Sequence, residues 1–519
     1  MWRHFCCYFL AGFSPVVFLN ITETIMNKHL RITLQVAVLF LLFAGRGLAV
    51  DPVLVRENID TFSQDSVKLK KLRDAVAALR DRKLDNSISW FTQAGVHDIL
   101  PNDPDLNKVP TSIQALFHQC HKTESLFFLW HRAYVAAVEK LMQDAIHDPT
   151  FRLPYWNWYA DPSLPEAFRN EFLDPRHRQK NSLYIANRTV NRGDPIWTPQ
   201  IITDYDSDDF ESFQGQLNDN EHGMIHVFVG TPTNMGSIFY AARDPIFYLH
   251  HANIDRLLMV WLKKNPTHKP PAHFPGWMPS VYRFPIPPGS TGNSNPPVHT
   301  PSEQDLGLGS VEAMGYKYDN VDPPNVSTPP VPTAPQHLQV SAAASATPKE
   351  MKLMQFGAVE APKKALEIAA GGTVDLTVEA SQKERIKALA NMTPSPQPTG
   401  LSLVFENIQV KEPPPGLAGY RVFVNLPKET TPGESFRDYF VGTLSLFNLQ
   451  HAQAHGPATI KLRFSPTQGA PALTKSLKSE GEGAGKVSVS LVPVLAPGAS
   501  APSTPVLTIG QIRLEGALP

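Results

Sequence analysis

Between Val67 and Leu79, apolar residues recur at Val67, Leu69, Leu72, Val76 and Leu79, a spacing that gathers them on one face of a helix. The run Phe127–Asp144 contains no helix breaker and predicts a second helix. Asp219–Phe228, which carries the His-x3-His pair, and Pro245–Lys264 predict two more. Pro162–Trp197 and Pro266–Pro301 are rich in loop-forming residues. From Gly371 the period changes to two. Thr373–Val378, Leu401–Phe405, Tyr420–Val424, Ala458–Phe464 and Val487–Val492 alternate as half-buried strands do. The chain thus reads as a mainly α domain built on a four-helix bundle, followed by an all-β sandwich or barrel of about seven strands.

A length of 519 residues exceeds one ordinary core. The expected organisation is a leader over residues 1–49, a helical domain over 50–321, a Pro/Ala-rich linker region over 322–370 and a β domain over 371–519. Asp322–Pro348 has the low complexity of an extended, flexible tether. In the leader, Lys28 and Arg31 precede the apolar run Ile32–Ala44, and Gly47-Leu48-Ala49 offers small residues for cleavage. This is the pattern of a signal peptide starting at Met26, which implies a secreted or periplasmic protein; an uncleaved anchor is the competing reading. The apolar run is short for a membrane span, so no stable membrane association is expected. Removal of the leader leaves Cys120 as the sole cysteine and excludes an intrachain disulfide. A net charge of −1 gives no electrostatic case for nucleic acid.

The candidate chemistry lies in histidines. His222 and His226 are four apart, so a helix stacks them on one face. A third imidazole comes from the Pro245–Lys264 helix, where His250 and His251 are adjacent and point about 100° apart, so that one of them faces a metal. Upstream, His97 ends an amphipathic stretch, and His118, His121 and His131 follow. Two three-imidazole sets in one domain suit two metals facing each other across a diatomic ligand. Sets of neutral imidazoles without carboxylates favour copper, which also tops the affinity order for such ligands; a zinc or di-iron hydrolase would recruit Asp or Glu.

Two signatures give these histidines a family resemblance: His121-x5-Phe127-Phe128-Leu129-Trp130-His131-Arg132-x2-Val135-x3-Glu139, and Asp244-Pro245-x-Phe247-Tyr248-x2-His251-x3-Asp255. With Leu153-Pro-Tyr-Trp-Asn-Trp158 between them, the chain resembles the type 3 copper family of tyrosinases, catechol oxidases and haemocyanins. The resemblance runs from about Arg56 to Tyr318 and, more weakly, through the C-terminal region. It implies two copper ions, held by His97, His121 and His131 and by His222, His226 and His251, with O2 and a small phenol as partners. His121 keeps the family spacing where His118 does not, and His251 stands at the family distance from Asp255, which is expected to orient a ligand imidazole. The implied activity is oxidation of o-diphenols to o-quinones, with or without a weaker ortho-hydroxylation of monophenols. A haemocyanin-like O2 carrier and an o-aminophenol oxidase are the alternatives.

Further expectations come from the same source. Tyr316 and Tyr318 match the Tyr-x-Tyr that closes the catalytic domain of plant polyphenol oxidases, with Arg56 as the arginine beside it. The C-terminal domain resembles their shielding domain, with an apolar plug from Leu444–Leu449. Asn218 stands where the plant pattern has a water-holding glutamate, and Gly223 where efficient tyrosinases often have Asn. Both departures favour diphenols, although Glu221 or Asp219 could substitute as the base. Ile238 matches the gate position. Plant relatives have N-terminal disulfides that this chain lacks, and Cys120, directly before His121, reads as a plain buried thiol rather than a thioether. Phe239, Phe247 and Trp261 read as core aromatics.

Overall fold

The computed structural model describes residues 53–120, 124–190, 193–278, 280–287, 297–338, 353–360, 365–378, 383–390, 400–429, 433–453, 458–463, 469–478 and 486–517. The leader and His121 therefore lie outside the described residues. The helices that position the histidines are α1 (Ser66–Arg80), α2 (Trp90–His97), α3 (Phe127–Ala145), α4 (Phe210–Leu217), α5 (Gly223–Val229) and α6 (Ile246–Lys264). Asp65 caps α1 by accepting from the amides of Val67 and Lys68. The buried face of α1 is Leu72, Ala75, Val76 and Leu79, whereas Val67 is 61% exposed, so the apolar stripe begins a turn later than the spacing implied. Helices α3 and α6 pack on each other and α1 packs on α3, which puts the histidine-bearing segments inside a helical core.

The helix expected over 219–228 is present and runs on continuously from Phe210 to Val229, but its winding changes within it. A π turn, Asn218–His222, joins α4 to α5. It widens the helix by one residue, a device that recurs at functional sites.

Strands β1 (Leu54–Arg56) and β2 (Tyr316–Tyr318) form a parallel pair, Leu54 opposite Tyr316 and Arg56 opposite Tyr318. The Arg56 guanidinium lies 3.7 Å from the centre of the Tyr316 ring, and its Nε donates to Glu139 at 3.0 Å. Arg132 Nε donates to Asp255 at 2.5 Å, and the hydroxyls of Tyr316 and Tyr318 donate to the same carboxylate at 2.7 and 2.6 Å. Two arginines and two carboxylates thus neutralise each other where α3 and α6 meet the β1–β2 pair.

The C-terminal half holds ten strands among the described residues: β3 (Leu353–Glu360), β4 (Leu366–Ile368), β5 (Gly372–Thr377), β6 (Gly400–Val410), β7 (Leu417–Val424), β8 (Phe440–Ser445), β9 (Ala458–Arg463), β10 (Lys486–Leu495), β11 (Leu507–Ile509) and β12 (Gln511–Ala517). They form two antiparallel sheets, β3-β12-β6-β11-β4 with β9 also on β6, and β8-β7-β10-β5. This exceeds the expected seven because strands as short as β4 and β11 carry too few residues to alternate visibly. Helices also occur here, among them α7 (Phe436–Tyr439) and α8 (Leu446–Gln453), which flank β8. The stretch 322–338 is tied down rather than free: Ser327 O accepts from Ile201 N, and Gln336 O from Thr373 N. Among the described residues, no helix is long and apolar enough to cross a membrane.

Candidate metal centre

Five of the six expected ligands come together, and the sixth, His121, lies outside the described residues. His222, His226, His250 and His251 form one group of potential metal donors, and His97, Cys120 and His131 another, the donor atoms of each lying within 4.8 Å of one another. The groups adjoin: the His131 and His251 rings stack at 4.1 Å. All six of these imidazoles are essentially sealed from solvent, at most 2% exposed.

Each element delivers its imidazole with a preset orientation. His97 ends α2 and its Nδ1 meets the carbonyl of Ile238 at 3.2 Å. His131 Nδ1 meets Phe127 O at 2.8 Å, one turn back on α3. His222 Nδ1 meets Asn218 O across the π turn at 3.2 Å, and His226 Nδ1 meets Met235 O at 3.0 Å. A carbonyl only accepts, so each Nδ1 carries the proton and each Nε2 keeps its lone pair for a metal. His222 and His226 then bring their Nε2 atoms to 3.1 Å of each other. Two lone pairs held that close are what a shared cation would relieve. Asp255 does not orient an imidazole, contrary to expectation, because its oxygens are taken by Arg132, Tyr316 and Tyr318. Main-chain carbonyls do that work instead.

His250 and His251 both enter the second group, so the 100° between them does not exclude either from it. Their hydrogen bonds separate them. Trp158 Nε1, which can only donate, donates to His250 Nδ1 at 3.1 Å, which places the His250 proton on Nε2. Neither nitrogen of the buried His251 has a hydrogen-bond partner. An orphaned buried imidazole next to three others fits a bound metal ion. Burial pushes the His222 imidazole down to about 3, and pushes those of His226, His250 and His251 well below the ordinary histidine range. All four stay neutral, which is the form that ligates.

His118 is not drawn in. It takes a left-handed φ of 58°, is half exposed, and holds Asp98 at 2.6 Å through Nδ1. Cys120 is buried, with Sγ 4.0 Å from His131 Nε2. Glu221 is committed elsewhere: it accepts from the Tyr159 hydroxyl, the amides of Ile202 and Thr203, and the Thr203 hydroxyl. It is therefore not placed to act as a substitute base. Asn218 is buried and its Oδ1 has no partner. Phe247 does more than fill the core, since its ring borders His97, His226 and His251 at 4.9, 5.7 and 4.2 Å. Trp158 was missed from sequence; its place in the Leu153–Trp158 motif was the available signal.

The C-terminal half closes over the second group. Phe447, in α8, stacks on His226 at 4.1 Å with 12° between the rings and stands edge-on to His222 at 5.8 Å. Thr443 Oγ1 donates to Asn220 Oδ1 at 2.5 Å, Asn448 Nδ2 to Asp219 Oδ1 at 2.7 Å, and Arg437 to the carbonyls of Ile202 and Thr203.

Residues 87–183 and 173–264 match the family model for the common central domain of tyrosinase, and residues 355–513 match a domain of unknown function, DUF7868. A latent-form chloroplastic polyphenol oxidase from Prunus armeniaca is 31% identical over 234 residues, covering 37% of this chain and 38% of that protein. The alignment thus spans well under half of that relative. A chloroplastic (+)-larreatricin hydroxylase from Larrea tridentata is 25% identical over 502 residues, covering 87% of this chain and 76% of that protein. Among solved structures, latent aurone synthase, a polyphenol oxidase, matches with a TM-score of 0.52 and 20% identity over 91% of both chains, a likeness of fold.

Proposed function

We propose that this chain, a tyrosinase-type protein by its central domain, is a copper-dependent polyphenol oxidase that converts o-diphenols to o-quinones. The observation that carries the reading is the pair of adjoining, sealed imidazole groups, with His131 stacked on His251 where the two meet. When two coppers are bound, they supply O2 binding and pass its oxidising equivalents to two diphenols, giving water. His97, His121 and His131 hold one ion, and His222, His226 and His251 the other. His250, whose proton Trp158 directs to Nε2, supports the site without ligating.

The rest of the chemistry belongs to the protein. The carbonyls of Ile238, Phe127, Asn218 and Met235 fix the imidazole tautomers, so the donors are preorganised. Hydroxylating a monophenol requires removal of its phenolic proton, which needs a base near the second site. Asn218 cannot act as one, Glu221 already accepts four hydrogen bonds, and the Asp219 carboxylate is held by Asn448. Diphenol oxidation is therefore favoured over monophenol hydroxylation.

Phe447 occupies the face of His226 that an incoming aromatic ring would use, so the full-length chain is latent and removal of the C-terminal domain activates it. A tethered domain keeps such a plug at high effective concentration. The leader over residues 26–49 supports export to a secreted or periplasmic location. The relatives named chloroplastic support a transit peptide instead, and the N-terminus of the mature protein distinguishes the two.

Copper titration to two equivalents, followed by O2 uptake with catechol, a monophenol and an o-aminophenol before and after cutting beyond residue 338, tests the reading. Turnover of catechol that rises on cutting is expected. Reversible O2 binding without turnover would make the chain a carrier, and preference for the o-aminophenol would replace the substrate.

A further inference from the structure

Gly223 has no backbone reason to be glycine. It joins the π turn to α5 with φ −62° and ψ −36°, ordinary helical values open to any residue. Glycine inside a helix costs up to about 1 kcal/mol relative to alanine. The position is also buried. What a side chain there would meet is the hydroxyl of a neighbour far along the sequence, which would have to turn away. A Cβ built on Gly223 would lie 2.5 Å from Ser445 Oγ and 3.6 Å from Ser445 Cβ.

Ser445 ends β8 and leads into α8, and it has little room to withdraw. Behind it β8 presses on β7, where a Cβ on Gly419 would come within 2.3 Å of Leu444 O and 3.3 Å of Ser445 Cα. Contacts on either side of Ser445 grip the same short segment. Thr443 bonds Asn220, Asn448 bonds Asp219, and Phe447 lies flat on His226. The notch left by the missing side chain is thus at the centre of the contact between the β half and the helix that carries His222 and His226.

We propose that Gly223 is the docking notch of the C-terminal domain: its lack of a side chain admits Ser445, and the seating of Ser445 places Phe447 over the second imidazole group. A side chain at this position would then unseat the plug in the uncut chain, without any proteolysis. The identity of this residue would set latency and not only the choice between phenols. The activity arm of this inference rests on the function proposed above; the structural arm does not.

The test uses the full-length, uncut chain. Gly223→Asn adds bulk from the helix, and Ser445→Gln adds it from the β half while leaving the helical half unaltered. Amide hydrogen exchange is followed over 436–453 and 218–229, alongside kcat/KM for catechol. Overpacking a fitted contact weakens docking, so exchange in 436–453 should speed up roughly tenfold or more in both variants. Catechol turnover should rise by a similar factor, and a later cut in the linker should add little. Pairing Gly223→Ala with Ser445→Gly should restore parental protection.

Parental exchange at 436–453 in Ser445→Gln would overturn the proposal, even if Gly223→Asn fails to fold. So would faster exchange confined to 218–229, which reports only a disturbed helix. Lost protection with no gain in turnover would retain the docking notch and refute the plug described under the proposed function.

Discussion

Asp255→Asn is the sharpest test of what holds α6, and with it His250 and His251, in place. The carboxylate is 3% exposed and receives Arg132 Nε, the hydroxyls of Tyr316 and Tyr318 and, at 3.6 Å, the Arg56 guanidinium. The arginines hold its pKa below the usual carboxylate value despite a burial that opposes this. The substitution keeps the shape but removes one of two negative charges facing two buried arginines, leaving Glu139 alone. Breaking a buried pair by removing one partner costs about 3–5 kcal/mol, because the other charge stays buried and uncompensated. With a urea m-value of about 3 kcal/mol/M, the midpoint should fall by about 1–1.7 M. The control is Asp74→Asn, which removes the exposed pair with Lys70 at 2.6 Å and should cost no more than about 0.5 kcal/mol. Equilibrium urea unfolding of the metal-free protein, followed by tryptophan fluorescence, measures both. A loss below about 1 kcal/mol for Asp255→Asn would mean that the guanidinium charges are solvated after all, and the argument from burial would fail.

Other outcomes follow from the imidazole groups. The protein should retain two coppers per chain on dialysis; His131→Ala and His251→Ala should each retain one, and His250→Ala should retain two. Metal analysis showing the reverse order for His250 and His251 would refute the tautomer argument. Asn218→Glu should raise the ratio of monophenol to catechol kcat/KM, and a wild-type chain that already handles both equally would contradict the selectivity reading. For the metal-free protein, burial depresses the His222 pKa to about 3, while the unfolded chain titrates near the ordinary value of about 6.5. Between those values the unfolded state binds the extra proton. Stability is thus complete above pH 6.5 and falls as the pH drops, by about 1.4 kcal/mol per pH unit for each such group. A flat stability profile from pH 7 to 5 would show that water reaches these rings.

The sequence was most legible where one local period coincided with one side-chain chemistry. The α3 and α6 runs, the two histidine signatures and the Tyr316/Tyr318/Arg56 association could all be located from spacing and motif. What stayed hidden depends on partners far away in the chain. Nothing near Asn218–His222 announces a π turn, because the contacts that grip it come from Thr443 and Asn448. Asp255 looked like an imidazole's partner because it lies one turn from His251. Its side chain is taken instead, one turn along the same face of α6, by Arg132 and the tyrosines. Residues 322–338 have a tether's composition, yet hydrogen bonds to Ile201 and Thr373 fasten them. Composition reports what a segment can do in isolation, not which edge it finds.

The parallel register of β1 with β2 also fixes how the helical half responds to force. The chain enters at Leu54 beside Tyr316 and leaves at Tyr318 beside Arg56, so tension on the two flanks pulls the paired strands past each other along their length. The bonds Leu54 N to Gly315 O and Asp319 N to Arg56 O, both 3.1 Å, then share the load instead of opening in turn. The buried Arg56 guanidinium, wedged between Tyr316 and Glu139, must slide with them. Forced extension is governed by the unfolding rate rather than by equilibrium stability. This short clasp is therefore a mechanical lock on the histidine-bearing helices, and a pull from either end meets it in shear.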